Sequence, residues 1–271
     1  MTKVKALVLT GFGLNCDVET AYALELAGAE PHRVHINSLI NGKIDLDDFK
    51  ILALGGGFSW GDDHGAGVIQ ALKLSNHLGD KLLSFIEKDR LVIGICNGFQ
   101  TLVNLGLLPG FDNNYQNRST SITWNDCGNF RDQWVHLAFN QKSPCVFTKE
   151  IEKADYPVRH GEGKFIGDKA IIDQLFLNNQ VVLQYSNKNG EPANNEFPLN
   201  PNGSMSDIAG ICDPTGKIFG LMPHPEAYNH FTNHPDWTRE KSLRKRQSKD
   251  SGMDEITSGI KIFKNGVDYF K

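Results

Sequence analysis

The sequence predicts an α/β protein, a single three-layer domain with a mostly parallel, mixed central sheet and helices on both faces. Short apolar runs alternate with helical patterns, as expected for parallel strands joined by helical crossovers. The run LVIGIC at residues 91–96 is apolar throughout, which indicates a strand buried on both faces. Residues 118–186 contain shorter alternating segments that are typical of antiparallel strands. Since no repeat or linker interrupts this pattern, residues 1–271 are predicted to form one domain.

The first half of the chain is predicted to alternate strands with helices. In the first helix, Asp17 and Glu19 favour the N-terminal turn because negative charge is stabilised there. Gly28 suits the end of the same helix. The predicted strands are residues 4–10, 31–36, 49–57 and 91–96, and the predicted helices are residues 17–29, 68–89 and 97–108.

The second half is predicted to add antiparallel strands. The stretch at residues 187–206, which is rich in Asn, Pro and Gly, is predicted to be an ordered excursion, because strand-like sequence resumes directly after it. The predicted strands are residues 121–124, 135–139, 157–160, 181–186, 207–213 and 216–222.

The composition argues against several classes of protein. Hydrophobic residues make up 39% and charged residues 22%, as in folded proteins rather than disordered ones. The net charge of −4 gives no basic field that would attract nucleic acid. We find no apolar run long enough to cross a membrane and no signal-peptide cleavage pattern. The five cysteines form no CxxC pair, which favours reduced thiols and a cytoplasmic location.

Cys96 ends the central strand between Gly94 and Gly98. A strand, a G-x-C-x-G turn and a helix form the geometry of a nucleophile elbow, in which the side chain is exposed at a sharp turn. The turn places the sulfur over a helix N-terminus, where backbone N–H groups favour a thiolate. The alternative is a buried structural cysteine.

The segment GLMPHPEAY offers an acid–base partner for such a thiol. His224 and Glu226 are two residues apart in a segment predicted to be extended, so the carboxylate can orient the imidazole. Both this segment and Cys96 follow strands, and α/β sheets build their sites at the carboxyl ends of strands. The alternative is a turn in which both side chains are solvated.

The glycine-rich segment LGGGFSWGDDHGAG, residues 54–67, also follows a predicted strand. Its backbone N–H groups are candidates for an oxyanion hole, which would combine Gly56 or Gly57 with Asn97. A flexible turn and a phosphate cradle are the alternatives, although the chain contains no GxxxxGK[ST] motif.

Three other patterns are interpreted without a catalytic role. GFGLNC, residues 11–16, lacks the third glycine of a dinucleotide-binding fingerprint. His230 and His234 are predicted to lie in a solvated loop rather than to ligate a metal. The basic run KSLRKRQSK, residues 241–249, is predicted to be an exposed face, with contact to a partner or phosphate as the alternative.

Five segments in this order resemble the glutamine amidotransferase subunits of phosphoribosylformylglycinamidine synthase, which are of the class I type with a Cys-His-Glu triad. The segments are GGFSWGDDHGAG, GICNGFQ, RHGEGKF, LNPNGSMSDIAGI and MPHPE. The resemblance covers about residues 3–228 and resumes at SGIKIFKNGVDYF, residues 258–270, which resembles the family's C-terminal helix. Residues 229–257 form an extra stretch that the resemblance does not place.

The resemblance implies that Cys96 is the nucleophile, His224 the acid–base and Glu226 its orienting partner. L-Glutamine would be hydrolysed, and its ammonia passed to a synthetase subunit that makes formylglycinamidine ribonucleotide from formylglycinamide ribonucleotide. It also implies a small bridging subunit in many organisms. No metal or cofactor is expected in this chain, whereas ATP and Mg are expected in the synthetase subunit.

Four further residues, Phe58, Gln100, His160 and Glu162, are candidates for binding glutamine. For His160 and Glu162, a subunit interface and a hydrogen-bonded turn are the alternatives. Two other functions compete with the amidotransferase. A stand-alone amide hydrolase would use the same triad but would not need the HGEG and PNGS segments in this form. A non-catalytic glutamine-binding module would not need an intact triad.

Overall fold

The computed structural model describes residues 3–246 and 256–271. The strands in these residues are β1 (Lys5–Thr10), β2 (Glu30–His35), β3 (Ile51–Leu54), β4 (Leu91–Ile95), β5 (Thr120–Trp124), β6 (Arg131–Phe139), β7 (Lys153–His160), β8 (Glu162–Gly167), β9 (Val181–Ser186), β10 (Ile208–Cys212) and β11 (Ile218–Leu221). The α-helices are α1 (Asp17–Leu26), α2 (Ile36–Ile40), α3 (Val68–Glu87), α4 (Asn97–Asn104), α5 (Lys169–Leu177), α6 (Trp237–Arg246) and α7 (Ser258–Asp268).

A nine-stranded sheet runs through the domain in the order β2-β1-β3-β4-β11-β10-β9-β6-β7. The first five strands of this order are parallel, and each later pairing is antiparallel. Within this sheet β10 and β6 therefore run opposite to the other strands. The predicted α/β class with a mostly parallel, mixed sheet is confirmed.

The central strands are buried on both faces, as expected for a parallel sheet covered by helices. Helices α1 and α7 pack against each other, and α3 packs against α4. In α3, Leu74, Leu78, Leu82 and Phe85 recur every three or four residues and are buried, so one apolar stripe faces the core. No helix of the described residues is long and apolar enough to cross a membrane.

The register of β4 and β11 brings their carboxyl ends to the same level. Gly94 lies opposite Gly220, and Ile95 lies opposite Leu221. On the other side of β4, Leu54 of β3 lies opposite Gly94. The segments that follow β3, β4 and β11 therefore leave the sheet side by side, at the edge where α/β folds place their sites.

The structure adds elements that the sequence patterns did not predict. Strand β8 and helix α5 follow the HGEG segment, and α2 follows β2 directly. Strand β5, predicted at residues 121–124, pairs with β8 in a separate two-stranded sheet. The excursion at residues 187–206 is ordered as predicted, because buried side chains such as Asn200, Asn202 and Ser204 hold it against the domain.

The extra stretch at residues 229–257 begins with a short 3-10 turn and continues as helix α6. The residues of α6 are mostly exposed, as predicted for the basic run, and residues 247–255 lie outside the described residues. The C-terminal helix predicted at residues 258–270 is present as α7.

The prediction of a solvated loop is wrong for His234, although His230 is exposed. The His234 ring packs edge-on against Trp134, with ring centroids 4.9 Å apart, and its Nε2 lies 3.2 Å from an Asp155 carboxylate oxygen. Burial follows because Trp134 and Tyr228 supply aromatic surfaces on which the imidazole packs. His234 thereby attaches the extra stretch to the sheet.

Candidate active site

Cys96 forms the turn between β4 and α4, as predicted. The predicted exposure of its side chain is wrong: Cys96 is only 4% exposed, because the backbone of Arg159 approaches its sulfur. Its backbone has φ 50° and ψ −106°, a conformation that costs a non-glycine residue about 1–3 kcal/mol. The Cys96 N–H donates to the Leu221 carbonyl at 2.8 Å, which ties the turn to β11. The Cys96 Sγ lies 3.7 Å from the carbonyl oxygen of Arg159.

The glycines on either side of Cys96 are required by close packing rather than by a positive φ. A Cβ on Gly98 would collide with the carbonyl oxygen of Leu54 on the neighbouring strand. A Cβ on Gly94 would lie 2.7 Å from the backbone of Gly98. The strained residue of the turn is therefore Cys96 itself, and the glycines allow α4 to approach the sheet closely.

His224 and Glu226 form a buried pair after β11. The His224 Nδ1 lies 2.6 Å from the Glu226 Oε1, and the two side chains are 2% and 0% exposed. The predicted contact is present, but Pro225–Ala227 form a 3-10 turn, so the extended geometry predicted for this segment is wrong. The 3-10 turn still brings the two side chains together because its tight winding folds Glu226 back toward the imidazole.

Two opposing effects act on the pKa of His224. Burial lowers the pKa because it penalises the charged imidazolium, whereas Glu226 and Cys96 raise it. The net effect raises the pKa of His224 well above its ordinary value. The Nε2 atom is buried and has no hydrogen-bond partner among the described residues, so it is available to a bound molecule.

Two of the predicted oxyanion residues, Gly56 and Gly57, lie beside this pair, and Asn97 directly follows Cys96. Asn97 is the first residue of α4, so its backbone N–H has no acceptor within the helix. In the bridge between residues 14 and 57, Asn15 donates to the Gly56 carbonyl and Phe58 donates to the Gly13 carbonyl. The Gly57 N–H takes no part in this bridge. A Cβ on Gly56 would lie 2.6 Å from the His224 Cε1, so glycine is needed there.

A cavity of about 240 Å³ opens beside the imidazole. At about 30 Å³ per water, it holds the volume of roughly eight water molecules, enough for a small amino acid. The residues that line it are Asn15, Cys16, Glu19, Gly57, Phe58, Phe130, Arg159 and His224.

Of the four residues predicted to bind glutamine, Phe58 lines this cavity. The other three are buried, and their side chains are hydrogen-bonded within the protein. The Gln100 side-chain amide donates to the Glu162 carbonyl, and the Glu162 carboxylate accepts from the Ala66 N–H at 3.1 Å. The His160 Nδ1 pairs with Asn125 at 3.1 Å, and burial lowers the His160 pKa to about 3. Direct contact of these three with glutamine stays a prediction.

The HGEG and PNGS segments pack against each other behind the cysteine turn. Asn202 donates to the Gly163 carbonyl at 2.8 Å, and the Phe165 N–H donates to the Ser204 hydroxyl at 3.0 Å. Asn125 accepts from the Gly163 N–H at 2.9 Å. These bonds satisfy a buried polar turn and fix the segment that carries Arg159 beside Cys96.

Five residues that line the cavity were not predicted from the sequence: Asn15, Cys16, Glu19, Phe130 and Arg159. The signal for Cys16 and Glu19 was their position after β1, which adjoins β3 in the sheet. The Cys16 Sγ lies 4.0 Å from the His224 Nδ1, and burial raises the pKa of the Cys16 thiol. Donor atoms of Cys16, His224 and Glu226 lie within 4.8 Å of one another. Because the His224 Nδ1 is already paired with Glu226, this arrangement suits an oriented imidazole, and the prediction of no metal stays as it was.

Nearly the whole chain matches one family of glutamine amidotransferases. Residues 3–270 match the model of a family described as the CobB/CobQ-like glutamine amidotransferase domain. The match includes the turn of Cys96, the glycine loop and the pair formed by His224 and Glu226.

Individual proteins are similar over nearly the whole chain. The phosphoribosylformylglycinamidine synthase subunit PurQ of Methanococcus maripaludis is 46% identical over 266 residues, covering 98% of this chain and 97% of that subunit. The subunit PurQ of Dehalococcoides mccartyi is 45% identical over 267 residues, covering 98% of each. A chain in the structure of PurLQS from Thermotoga maritima matches with a TM-score of 0.69 and 29% identity, with 100% of both chains covered.

Proposed function

Because this chain belongs to the CobB/CobQ-like glutamine amidotransferases, among the PurQ subunits of phosphoribosylformylglycinamidine synthase, we propose that it releases ammonia from L-glutamine for that synthase through Cys96, His224 and Glu226. The observation that carries the proposal is a cysteine on a strained turn whose thiol interacts with a buried histidine–glutamate pair, where the paired strands β4 and β11 end. A thiol and an imidazole oriented by a carboxylate form the arrangement that acyl transfer through a covalent intermediate requires.

The reaction begins when the Cys96 sulfur attacks the side-chain amide carbon of glutamine. Backbone N–H groups of Gly57 and Asn97 receive the developing oxyanion, and each such donor is worth about 3–4 kcal/mol in the transition state. The imidazolium of His224 gives its proton to the amide nitrogen as the C–N bond breaks, so that neutral ammonia leaves and a thioester with Cys96 remains.

Hydrolysis of the thioester completes the cycle. His224, now neutral, takes a proton from water, and the resulting hydroxide attacks the thioester carbonyl. Glutamate leaves, and Cys96 regains its starting state. Glu226 holds the imidazole through Nδ1, so that Nε2 faces the reacting atoms in both halves of the cycle.

The ammonia serves a second active site in a partner. In the synthase, a synthetase subunit uses ammonia to convert formylglycinamide ribonucleotide to formylglycinamidine ribonucleotide in purine biosynthesis. The similarity to a PurLQS chain supports assembly with that synthetase subunit and a small third subunit. ATP and Mg act in the synthetase subunit, and this chain uses no cofactor of its own. The five unpaired cysteines are consistent with a reducing, cytoplasmic location.

The test is the substitution Cys96→Ala in the assembled synthase. We expect glutamine-dependent synthesis to fall by at least about 1,000-fold because the covalent intermediate is lost. Synthesis from added ammonium salt should stay near the wild-type rate, because the synthetase site is untouched. Product formation with each nitrogen source measures both. Cys127→Ala, which removes a thiol of a surface turn, is the matched control. Glutamine-driven synthesis by Cys96→Ala would contradict the assignment of the nucleophile.

A further inference from the structure

We propose that Arg159 and Glu19 bind the α-carboxylate and the α-ammonium group of glutamine, an assignment that rests on the proposed function. The amide end of glutamine must reach Cys96, but nothing in the triad recognises the other end of the molecule. Glutamine carries one negative and one positive group on its α-carbon. A site that selects glutamine therefore needs one positive and one negative group at the end of the cavity that receives the α-carbon.

Arg159 and Glu19 lie next to each other in the wall of this cavity. Both line it together with His224 and Gly57. The Arg159 Nη1 lies 3.6 Å from the Glu19 Oε2, which is beyond hydrogen-bond distance. The Glu19 Oε2 is nevertheless shielded from solvent and has no hydrogen-bond partner in the part of the chain that the structure describes. An acceptor that is buried and unsatisfied beside a cavity is suited to a donor that arrives with a ligand.

The spacing of the pair suits a zwitterion. The carboxylate and the ammonium of an amino acid hang from the same carbon, so the two charges are neighbours, as the Arg159 and Glu19 charges are at 3.6 Å. If the carboxylate of glutamine lies against Arg159 and its ammonium group against Glu19, each charge is next to one of opposite sign. The guanidinium is a fixed fork of donors that matches a carboxylate, and its single contact with Glu19, through Nη1, leaves other donors of that fork for the ligand.

The backbone of Arg159 links this pair to the nucleophile, although Cys96 itself is not among the residues that line the cavity. The backbone carbonyl of Arg159 lies 3.7 Å from the Cys96 Sγ, so the residue that holds the carboxylate is adjacent to the reacting atoms. Between the two ends of glutamine lie two methylene groups, which need apolar contact. Phe58 and Phe130 line the same cavity with ring centroids 6.1 Å apart and supply such a wall.

A structural ion pair does not account for these features as well. Although the Glu19 Oε2 atom is shielded, the Arg159 and Glu19 side chains as a whole are 39% and 43% exposed, and ion pairs between such side chains contribute little to stability. A pair that served stability would gain from bidentate geometry, which this pair lacks.

The test uses two substrate analogues in the assembled synthase. Glutaramic acid is glutamine without the α-ammonium group, and 4-aminobutanamide is glutamine without the α-carboxylate. Ammonia release from each compound gives kcat/KM, and the wild-type enzyme should reject both analogues strongly, since the analogue leaves a charged group of the site unpaired.

Arg159→Gln should lower kcat/KM for glutamine by about 10- to 100-fold, the size expected for a lost charge-assisted hydrogen bond. It should leave kcat/KM for 4-aminobutanamide nearly unchanged, because that analogue has no carboxylate to lose. Glu19→Gln should show the converse pattern, with a loss for glutamine and little change for glutaramic acid. Arg159→Lys keeps the charge and should lose less than Arg159→Gln. Glu25→Gln, an exposed substitution on the same helix, is the matched control.

The proposal would be overturned if Arg159→Gln lowered kcat/KM equally for glutamine and 4-aminobutanamide, or if Glu19→Gln lowered it equally for glutamine and glutaramic acid. An equal loss indicates a general distortion of the site, which acts on both substrates. Unchanged glutamine kinetics in Arg159→Gln and Glu19→Gln would overturn it as well. The proposed function is judged separately, by glutamine hydrolysis in the wild-type synthase and its loss in Cys96→Ala. Labelling of Cys96 by iodoacetamide at the wild-type rate shows that each variant has a folded site.

Discussion

At the scale of single residues, backbone strain lies at Cys96, the residue proposed as the nucleophile. Its positive φ is maintained because neighbours on both sides hold the turn, with Leu221 accepting its N–H and Leu54 packed directly against Gly98. A thiol fixed in this way loses little freedom when it attacks a bound amide, so part of the entropic cost of the reaction is already met in the fold.

The electrostatics of His224 lead to a prediction for Glu226→Gln. Glu226 helps to raise the pKa of the buried imidazole, so its loss as a charge should lower that pKa. His224, which must be protonated to protonate the departing nitrogen, would then lose its proton at a lower pH. We expect the alkaline limb of the kcat/KM profile to move to lower pH, and kcat/KM to fall by about 100-fold.

Glutamine hydrolysis by the assembled synthase, measured across the pH range, checks this expectation. Glu87→Gln, an exposed substitution near the end of α3, is the control and should reproduce the wild-type profile. An alkaline limb that stays in place in Glu226→Gln would show that the carboxylate does not control the proton on His224.

At the scale of elements, the parallel half of the sheet could be predicted because its strands are continuous apolar runs. LVIGIC and GKIFGLM were recognised in this way as β4 and β11, and both are buried. Once two strands are parallel neighbours, the residues after them meet at one edge. The proximity of Cys96 and His224 could therefore be predicted, although the sequence does not show which strands are neighbours.

The remaining elements depend on tertiary contacts that no local pattern records. The sequence of β8 has no alternating apolar pattern that would predict a strand. The strand is stabilised instead by pairing with β5 and by Asn and Ser side chains of the PNGS segment. Arg159 lies on an antiparallel strand at the far end of the sheet order, and Glu19 lies on the first helix. Their meeting over the cavity arises from the folded sheet and has no counterpart in sequence spacing.

The glycine loop at residues 55–67 carries an unfavourable charge. Burial and repulsion from Glu162 raise the pKa of Asp62 to about 6, above its ordinary 3.8. Between these pH values the folded state binds the proton more tightly than the unfolded chain. The stability that this proton confers is complete below about pH 4 and is lost as the pH rises through about 6. At neutral pH the charged Asp62 therefore weakens the fold.

We expect Asp62→Asn to raise stability at pH 7.5 and to have a smaller effect at pH 4.5. Because the carboxyl group is partly solvated, the gain should be about 1 kcal/mol, or about 2–4 °C in Tm. Asparagine tolerates the positive φ of 57° at this position. Thermal unfolding at both pH values measures the difference, with the exposed neighbour Asp63→Asn as control. A gain of equal size at both pH values would contradict the electrostatic origin.

At the scale of the whole molecule, the cavity opens beside aromatic side chains that are exposed in the isolated chain. Phe58 and Phe130 line the cavity and are 41% and 50% exposed. Phe12 is exposed as well and stacks on Trp60, with ring centroids 4.6 Å apart. Exposed aromatic groups around a functional site are typical of a surface that a partner covers. Covering this rim would also close the cavity and direct ammonia away from solvent.

The last prediction is that the isolated chain is a poor glutaminase. Without a partner, the side chains that enclose glutamine are held only by their own loops, and released ammonia is lost to water. We expect the synthetase and small subunits to raise kcat/KM for glutamine by about 10- to 100-fold, the usual size of coupling between two sites. Ammonia release, measured with and without these subunits and corrected with Cys96→Ala, tests the dependence. Full activity of the chain alone, unchanged by its partners, would instead favour a stand-alone amide hydrolase that uses the same triad.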